Sequence, residues 1–319
     1  MLVNGKWTKD WQPVQDKDNA GRFLRQRSSI RNWVTPDGRS GPTGGDGFPA
    51  AADRYHLYVA LICPWACRTL FVRKILGLEQ TISVSIASPV MTPQGWKFGS
   101  YPGATVDHLH DSTYMHELYT RQDPVYTGRA TVPVLWDKQR GCMVNNESAD
   151  ILRMLNSAFT DYSNNAIDFY PPDLRSEIDK LNHFYYEKLN NGVYRAGFAT
   201  SQKAYEEAYD EVFSALDDLE RRLQGNGGPF VFGRHLTETD VRLFVTLVRF
   251  DVAYHGIFKC NKKRIKDYPN ISRYLNNIYQ LTGVASTVSF DHIKTGYYSL
   301  KDLNPNGIIP KGPEPLPVV

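Results

Sequence analysis

The chain has 319 residues, 41% hydrophobic and 22% charged, an ordinary composition for a soluble globular protein and a length that favours two domains over one. A net charge of +3 is too close to neutral for a nucleic-acid binder, and no apolar run is long enough to span a bilayer, so neither nucleic acid nor membrane is an expected partner. Cys63, Cys67, Cys142 and Cys260 do not make a disulfide framework in so long a chain, and "MLVNGKWTKDW" lacks the basic and apolar regions of a secretory signal, so a reducing, cytoplasmic setting is expected.

Residues 1–50 are rich in Gly, Pro, Asp and Arg without a sustained period, and "TPDGRSGPTGGDGFP" is loop chemistry, so they read as an extended N-terminal arm. "RYHLYVAL" alternates Tyr55, Leu57 and Val59 against His56 and Tyr58, the period of a strand. Pro64 then fits the first turn of a helix. "WACRTLFVRKILGLE" carries Ala66, Leu70, Val72 and Leu76 on an amphipathic pattern that Gly77 stops. "TISVSIA" (81–87) is a second strand, followed by an insertion over 88–128 long enough to suspect of function. Within it "DHLHDSTYMHE" holds His108, His110 and His116 at spacings that match no zinc motif and read as a solvated loop.

"VPVLW", "KQRG" and "CMVN" read as strand, turn and hairpin partner. A helix follows, with Asn145 or Asn146 near its cap and Glu147 in its first turn. The order β-α-β then β-β-α specifies an α/β thioredoxin-like domain over 51–156, and "SAFTDYSNNAIDFYPPD" reads as a linker over 157–172. Helical periods dominate 173–300: Leu174, Ile178, Leu181 and Tyr185, then Ala208, Val212, Leu216, Leu219 and Leu223. "TETD" (237–240) is a capping-box pattern ahead of a buried helix. "KCNKKRIK" (259–266) reads as a solvated basic face, and the Pro-rich segment 301–319 as an extended tail. All six tryptophans lie at or before Trp136 while the second half is rich in tyrosine, a break that agrees with an α/β domain followed by an all-α one.

The chemistry starts at "ICPW". A sulfur at a strand-to-helix junction faces the unpaired N–H groups and positive end of the helix, which favour an anion. Such placement lowers a thiol pKa from about 8.5 to roughly 3.5–7.5. Cys63 is therefore the candidate nucleophile, against the alternative of a small core residue. Residue 66 is alanine, so the dithiol C-x-x-C pattern is absent, and Cys67 falls one turn inside the helix as packing. A lone ionised cysteine needs an external thiol to resolve its mixed disulfide, and glutathione is the obvious candidate. "TVPV" puts a proline where thioredoxin-like folds carry a cis peptide, with the Val132 backbone placed to pair with a peptide-like ligand. Glu147 and Ser148, at a helix start, suit the ammonium and carboxylate of an α-amino acid. Gly192 and Gly197 bracket Tyr194 in "NNGVYRAG", a loosened helix able to turn that phenol towards a cleft.

Taken together, "GRFLRQRSSIRNWVTPDG", "RYHLYVALICPWACRTL", "TVPVLWD", "NNESADILRML", "NNGVYRAGFA", "RFDVAYHGIFKCN" and "GYYSL" resemble the signatures of the xi class of glutathione transferases, the S-glutathionyl-hydroquinone reductases. The resemblance runs essentially end to end and implies the glutathione transferase fold, with arm and tail added. It implies Cys63 as nucleophile, with Trp96, Arg129, Ala130, Thr131, Val132, Glu147 and Ser148 around glutathione. Tyr194, Tyr254 and Tyr297 would meet the aromatic substrate, Tyr194 as proton donor or acceptor and the other two helping to lower the cysteine pKa. Glutathione is implied as co-substrate, with no metal or nucleotide, and a homodimer as the assembly. The family pattern usually has histidine where Cys67 stands, which leaves residue 67 without an assigned role. Two other readings use the same fold: an omega-like thioltransferase or dehydroascorbate reductase, and a non-enzymatic scaffold.

Overall fold

A four-stranded sheet organises the first half of the chain. In the computed structural model, which describes residues 1–8 and 16–314, Leu2–Val3 (β1) pairs with Lys6–Trp7 (β2), and Trp33–Thr35 (β3) pairs in parallel with Gly47–Pro49 (β4). The main sheet has Tyr55–Ala60 (β5), Ile82–Ala87 (β6), Val134–Asp137 (β7) and Cys142–Asn145 (β8) in the order β6-β5-β7-β8. β5 and β6 are parallel, joined through Pro64–Ile75 (α1), and β5/β7 and β7/β8 are antiparallel. Ser148–Ala158 (α3) follows β8, completing the β-α-β, β-β-α order expected from the sequence; Met115–Gln122 (α2) lies in the insertion.

β5 differs from a half-exposed strand: all six of its residues are buried, and so are nearly all of the first nine of α1. The second face of β5 is closed by polar bonds and by the insertion. His56 sits between Ser83 Oγ (2.7 Å) and Ser85 Oγ (3.0 Å), and Tyr58 donates to Asp107 Oδ1 at 2.9 Å. Burial pushes the Asp107 carboxyl up, but N–H groups of Leu109 and Ser112 and the Tyr58 hydroxyl hold it below the usual carboxylate range. The histidine loop is correspondingly not solvated as a whole. His110 packs edge-on against Trp136 at 4.9 Å, and His116 stacks with Trp7 and Tyr114 at 4.7 and 5.4 Å.

The described residues form two units, one of residues 1–8, 28–166 and 287–299, the other of 16–27, 167–286 and 300–314. Two stretches depart from the sequence expectation. Arm residues 28–50 are built into the first unit by buried Trp33, Val34 and Phe48 and by an Arg31–Asn145 bridge. Phe290–Tyr298 (α9), expected with the helical region, also joins the first unit. It is held there by Tyr101, whose hydroxyl donates to Asp291 Oδ2 (2.7 Å), and by His292 Nε2 donating to Pro102 O (2.7 Å).

The second unit is helical: Arg175–Tyr185 (α4), Gly192–Gly197 (α5), Gln202–Gly225 (α6), Glu238–Arg249 (α7) and Pro269–Tyr279 (α8). Of the apolar positions read from the sequence, Ile178, Leu181 and Tyr185 on α4 and all five on α6 are buried, while Leu174 is the half-buried N-cap of α4; the capping box of Thr237 and Asp240 is present at the start of α7. Burial raises the Asp240 carboxyl, which is bonded to the Thr237 and Val231 N–H groups and to Tyr274. Two π-helical turns interrupt this regularity, Tyr186–Asn190 ahead of α5 and Phe250–Tyr254 after α7. Residues 300–314 carry turns and no helix or strand; the last five residues of the expected tail lie outside the described residues.

Candidate active site

Cys63 is the N-cap residue of α1, in extended backbone, with Pro64 at the first helical position, where its missing N–H costs no helical bond. Cys67 N donates to Cys63 O at 3.0 Å, closing the first turn. The sulfur is half-buried and its S–H donates to Val132 O at 3.7 Å across the sheet end; the Val132–Pro133 peptide is cis. Cys67 is buried inside the helix, its sulfur donating to Leu61 O at 3.4 Å. The remaining thiols sit in unreactive settings. Burial pushes Cys260 up to about 12, and burial followed by the Asp137 charge raises Cys142.

The segment leading to Val132 is fixed from the insertion. Tyr119 of α2 donates its hydroxyl to Thr131 O (3.0 Å) and accepts from Asn146 Nδ2 (3.1 Å). It is fully buried, which pushes its phenol up to about 12 and keeps it a neutral strut. Arg129 and Ala130 precede this strut, and Arg129 O accepts the Tyr126 hydroxyl at 3.4 Å. Trp96 is half-buried in the irregular part of the insertion, its carbonyl bonded to Met115 N at the start of α2.

At the start of α3 the structure corrects the cap: Glu147 itself is the N-cap residue, and Asn145 Oδ1 accepts its N–H at 2.7 Å. Glu147 Oε1 accepts Ala149 N (3.1 Å), while Oε2 lies 3.0 Å from the Ser28 hydroxyl of the arm. Arg31 of the arm pairs with Asp150, one turn into the helix. Ser148, the first helical residue, accepts at Oγ from Nη1 of Arg68 (3.4 Å), a buried guanidinium of α1 whose carbon lies 4.5 Å from the centre of the Trp65 ring. One carboxylate oxygen of Glu147 thus caps the helix, and the other meets the arm at Ser28. Ser28, Arg31, Arg68 and Tyr119 are missing from the residues read from the sequence. Only the arginine-rich, period-free composition of the arm hints at two of them.

Tyr297, on α9, is buried in the same unit as Cys63. Its neighbour Gly296 lets α9 pack closely on the chain before α1. A Cβ there would lie 2.2 Å from Ile62 Cδ1 and 2.7 Å from Pro89 O, so α9 meets the residue before Cys63 backbone-first. Tyr194 and Tyr254 belong to the second unit and form a cluster there: their rings are 6.0 Å apart, and Phe258 stands 5.4 Å from the first and 5.3 Å from the second. Each follows or ends a π-helical turn, whose extra residue rotates what comes next. Gly197 has no room for a side chain against Phe258, 2.3 Å from its would-be Cβ. The bracketing glycines therefore serve close packing, and it is the π turns that interrupt the helical regularity beside these tyrosines.

Among the described residues no three His, Cys, Asp or Glu side chains form a metal-binding group, and no helix is long and apolar enough to cross a membrane.

Comparison with known proteins follows the same lines. Residues 62–158 match the model of the glutathione S-transferase N-terminal domain and residues 202–277 that of the C-terminal domain. Glutathionyl-hydroquinone reductase YqjG of Escherichia coli (strain K12) is 52% identical over 98% of this chain and 95% of its own. Its glutathione-bound structure superposes with a TM-score of 0.90 over 98% and 96% of the two chains, at 49% identity. Glutathionyl-hydroquinone reductase PcpF of Sphingobium chlorophenolicum is 46% identical over 99% of this chain and 97% of its own. The glutathione-S-transferase Xi of Phanerochaete chrysosporium is similar at a TM-score of 0.88, 44% identity and coverage of 95% and 97%.

Proposed function

The chain belongs to the glutathione S-transferase family, in its xi class, and from that premise we propose that it is a glutathionyl-hydroquinone reductase working through Cys63. The observation that carries the mechanism is the sulfur at the N-cap of α1 with Val132 O as its neighbour. The first-turn N–H groups favour the thiolate, whereas the S–H···O=C contact favours the thiol. A peptide N–H of the ligand that takes Val132 O removes the second effect and leaves the first. Ligand binding and ionisation of the nucleophile are coupled at one carbonyl.

The glutathionyl part of the substrate lies with its γ-glutamyl end at α3. The carboxylate meets the helix N–H groups and the Ser148 hydroxyl, and the ammonium meets Glu147. Trp96 and residues Arg129 to Val132 line the remainder. The Cys63 thiolate attacks the substrate sulfur, forming an S–S bond as the carbon–sulfur bond breaks. That electron pair passes to the ring carbon, which takes a proton; the family resemblance gives this proton to Tyr194, and gives Tyr254 and Tyr297 the task of favouring the Cys63 thiolate. Hydroquinone leaves. The thiolate of a second glutathione attacks the glutathionyl sulfur on Cys63, and oxidised glutathione departs with the Cys63 thiolate restored. The aryl carbon gains two electrons and two glutathionyl sulfurs end as one disulfide. The family resemblance also supports a homodimer in the cytoplasm.

The test is turnover of S-glutathionyl-menadiol by wild type, Cys63→Ala and Cys63→Ser. Loss of turnover in both variants is expected, and activity that survives both overturns the cysteine mechanism. Dehydroascorbate, assayed beside it with Tyr194→Phe, separates a thioltransferase: that variant should lose the first activity and keep any of the second.

A further inference from the structure

The signature "GRFLRQRSS" has one half with no part in the mechanism above. Residues 16–27 lie in the second unit, pinned there at three points. Thr200 N donates to Gly21 O (3.0 Å), Ser201 Oγ donates to Ala20 O (2.7 Å), and Arg22 makes a two-pronged pair with Glu207 of α6 at 2.8 and 3.1 Å. Phe23 is buried against Phe198 at 5.7 Å. Two residues further, the guanidinium carbon of Arg25 stands 4.7 Å from the centre of the Tyr194 ring and 5.2 Å from that of Phe23. Its Nε donates to Asn191 Oδ1 at 2.7 Å, and Asn191 N in turn closes the π turn ahead of Tyr194 on Tyr186 O at 2.8 Å. A planar cation is therefore held by two rings and one amide, over the phenol to which the mechanism gives the proton.

We propose that Arg25 is a positioning residue for Tyr194: its guanidinium fixes the phenol ring and stabilises the phenolate formed when the Tyr194 proton passes to the ring carbon. A guanidinium matches this task because it stacks flat on an aromatic face and stays charged at any working pH. As the carbon–sulfur pair moves onto the ring carbon, the proton leaves Tyr194 Oη, and the phenolate takes one back from water while the second glutathione thiol gives up its own. Of the rings that meet Tyr194, Phe198 and Phe258 carry no charge and Tyr254, from the π turn after α7, is a titratable phenol; Arg195, next in sequence, is paired with Glu211 of α6. The inference rests on the reductase reading, with Tyr194 as the proton donor.

The test uses the full chain as wild type, Arg25→Met, Arg25→Lys, Tyr194→Phe and the Arg25→Met/Tyr194→Phe double variant, with kcat and KM for S-glutathionyl-menadiol measured against pH. Arg25→Met should lower kcat about tenfold at little change in KM, and move the alkaline limb of kcat up by about one pH unit, since the phenol loses a nearby opposite charge for its ionised form. Arg25→Lys keeps the charge and should keep the limb, with a smaller loss. In the Tyr194→Phe background Arg25→Met should cost nothing further. An unmoved limb, an equal loss in the Tyr194→Phe background, or a rise in KM alone each overturns the proposal, the last by making Arg25 a substrate contact. Should Arg25→Met fail to fold, Arg25→Lys in both backgrounds carries the same reading, because a loss that persists without the Tyr194 hydroxyl is structural. Failure of the reductase reading shows separately, as a wild-type protein that forms no glutathione adduct on Cys63.

Discussion

Gly296→Ala tests the close packing of α9 on Ile62 and Pro89, which the role proposed for Tyr297 beside Cys63 requires. The new methyl group would lie 2.2 Å from Ile62 Cδ1, 3.0 Å from Ile62 Cγ1 and 2.7 Å from Pro89 O, where ordinary contact begins at 3.4 Å. The Ile62 side chain can rotate away from part of this, but the Pro89 carbonyl is backbone and cannot. The helix must therefore retreat by roughly 1 Å, a displacement of the kind that costs up to about 100-fold in rate when it separates catalytic groups. Overpacking of this kind costs about 1–3 kcal/mol, which for a unit of this size lowers Tm by roughly 2–4 °C per kcal/mol. The assay is kcat for S-glutathionyl-menadiol together with a thermal melt. Gly225→Ala serves as the control, because nothing lies within 4 Å of its Cβ and its φ is ordinary. A Gly296→Ala protein with both wild-type Tm and wild-type kcat would refute the reasoning.

His56 gives a pH prediction. Burial, with the Asp107 charge opposing it, lowers its folded pKa to about 3, against about 6.5 when unfolded. Between those values the unfolded chain binds a proton that the folded one refuses. Its contribution is thus complete above about pH 6.5 and is lost as pH falls towards 3, at up to about 1.4 kcal/mol per pH unit. His110 and His116 are lowered in the same sense by burial, so the clean readout is a comparison. Unfolding free energies from urea titrations at pH 7 and 5 should differ less in His56→Gln than in wild type by about 2 kcal/mol, and an equal difference removes the argument. Ser28→Ala removes the hydroxyl that meets Glu147 Oε2, and should raise KM for glutathione about fivefold (~1 kcal/mol) with kcat held; an unchanged KM separates the arm from the ligand site. Cys260, pushed up by burial, should resist alkylation in the folded protein until denaturant is added, as peptide mapping after iodoacetamide will show.

What could be read from the sequence was whatever local chemistry writes. Period 2 in 55–60, the Cys63–Pro64 junction, the "VPVLW"/"CMVN" hairpin, the α4 and α6 apolar stripes and the Thr237–Asp240 box each need only near neighbours, and each is where it was expected. Long-range partners left no such trace. β3 and β4 pair through bonds set by the buried Trp33, Val34 and Phe48, inside a stretch whose glycines and prolines read as loop. The burial of His56 and Tyr58 depends on Ser83, Ser85 and Asp107, which lie 27 to 49 residues away. The π turns before Tyr194 and at Tyr254 have no residue signature, being a matter of how many residues the packing admits per turn. Among the residues proposed for the site, Cys63, Val132, Glu147 and Ser148 lie at or next to element ends, which local sequence marks. Ser28 and Arg31 were not legible, because they reach α3 from more than a hundred residues away.

The central claim is a sulfur at the head of α1 that takes glutathione from an aromatic carbon. Incubating the reduced protein with one equivalent of S-glutathionyl-menadiol, in the absence of added glutathione, isolates that step. Mass mapping should then find one glutathionyl group on the peptide carrying Cys63, with an equal amount of menadiol released and the adduct cleared by adding glutathione. Menadiol released without an adduct at Cys63, or an adduct confined to Cys67, Cys142 or Cys260, would contradict it.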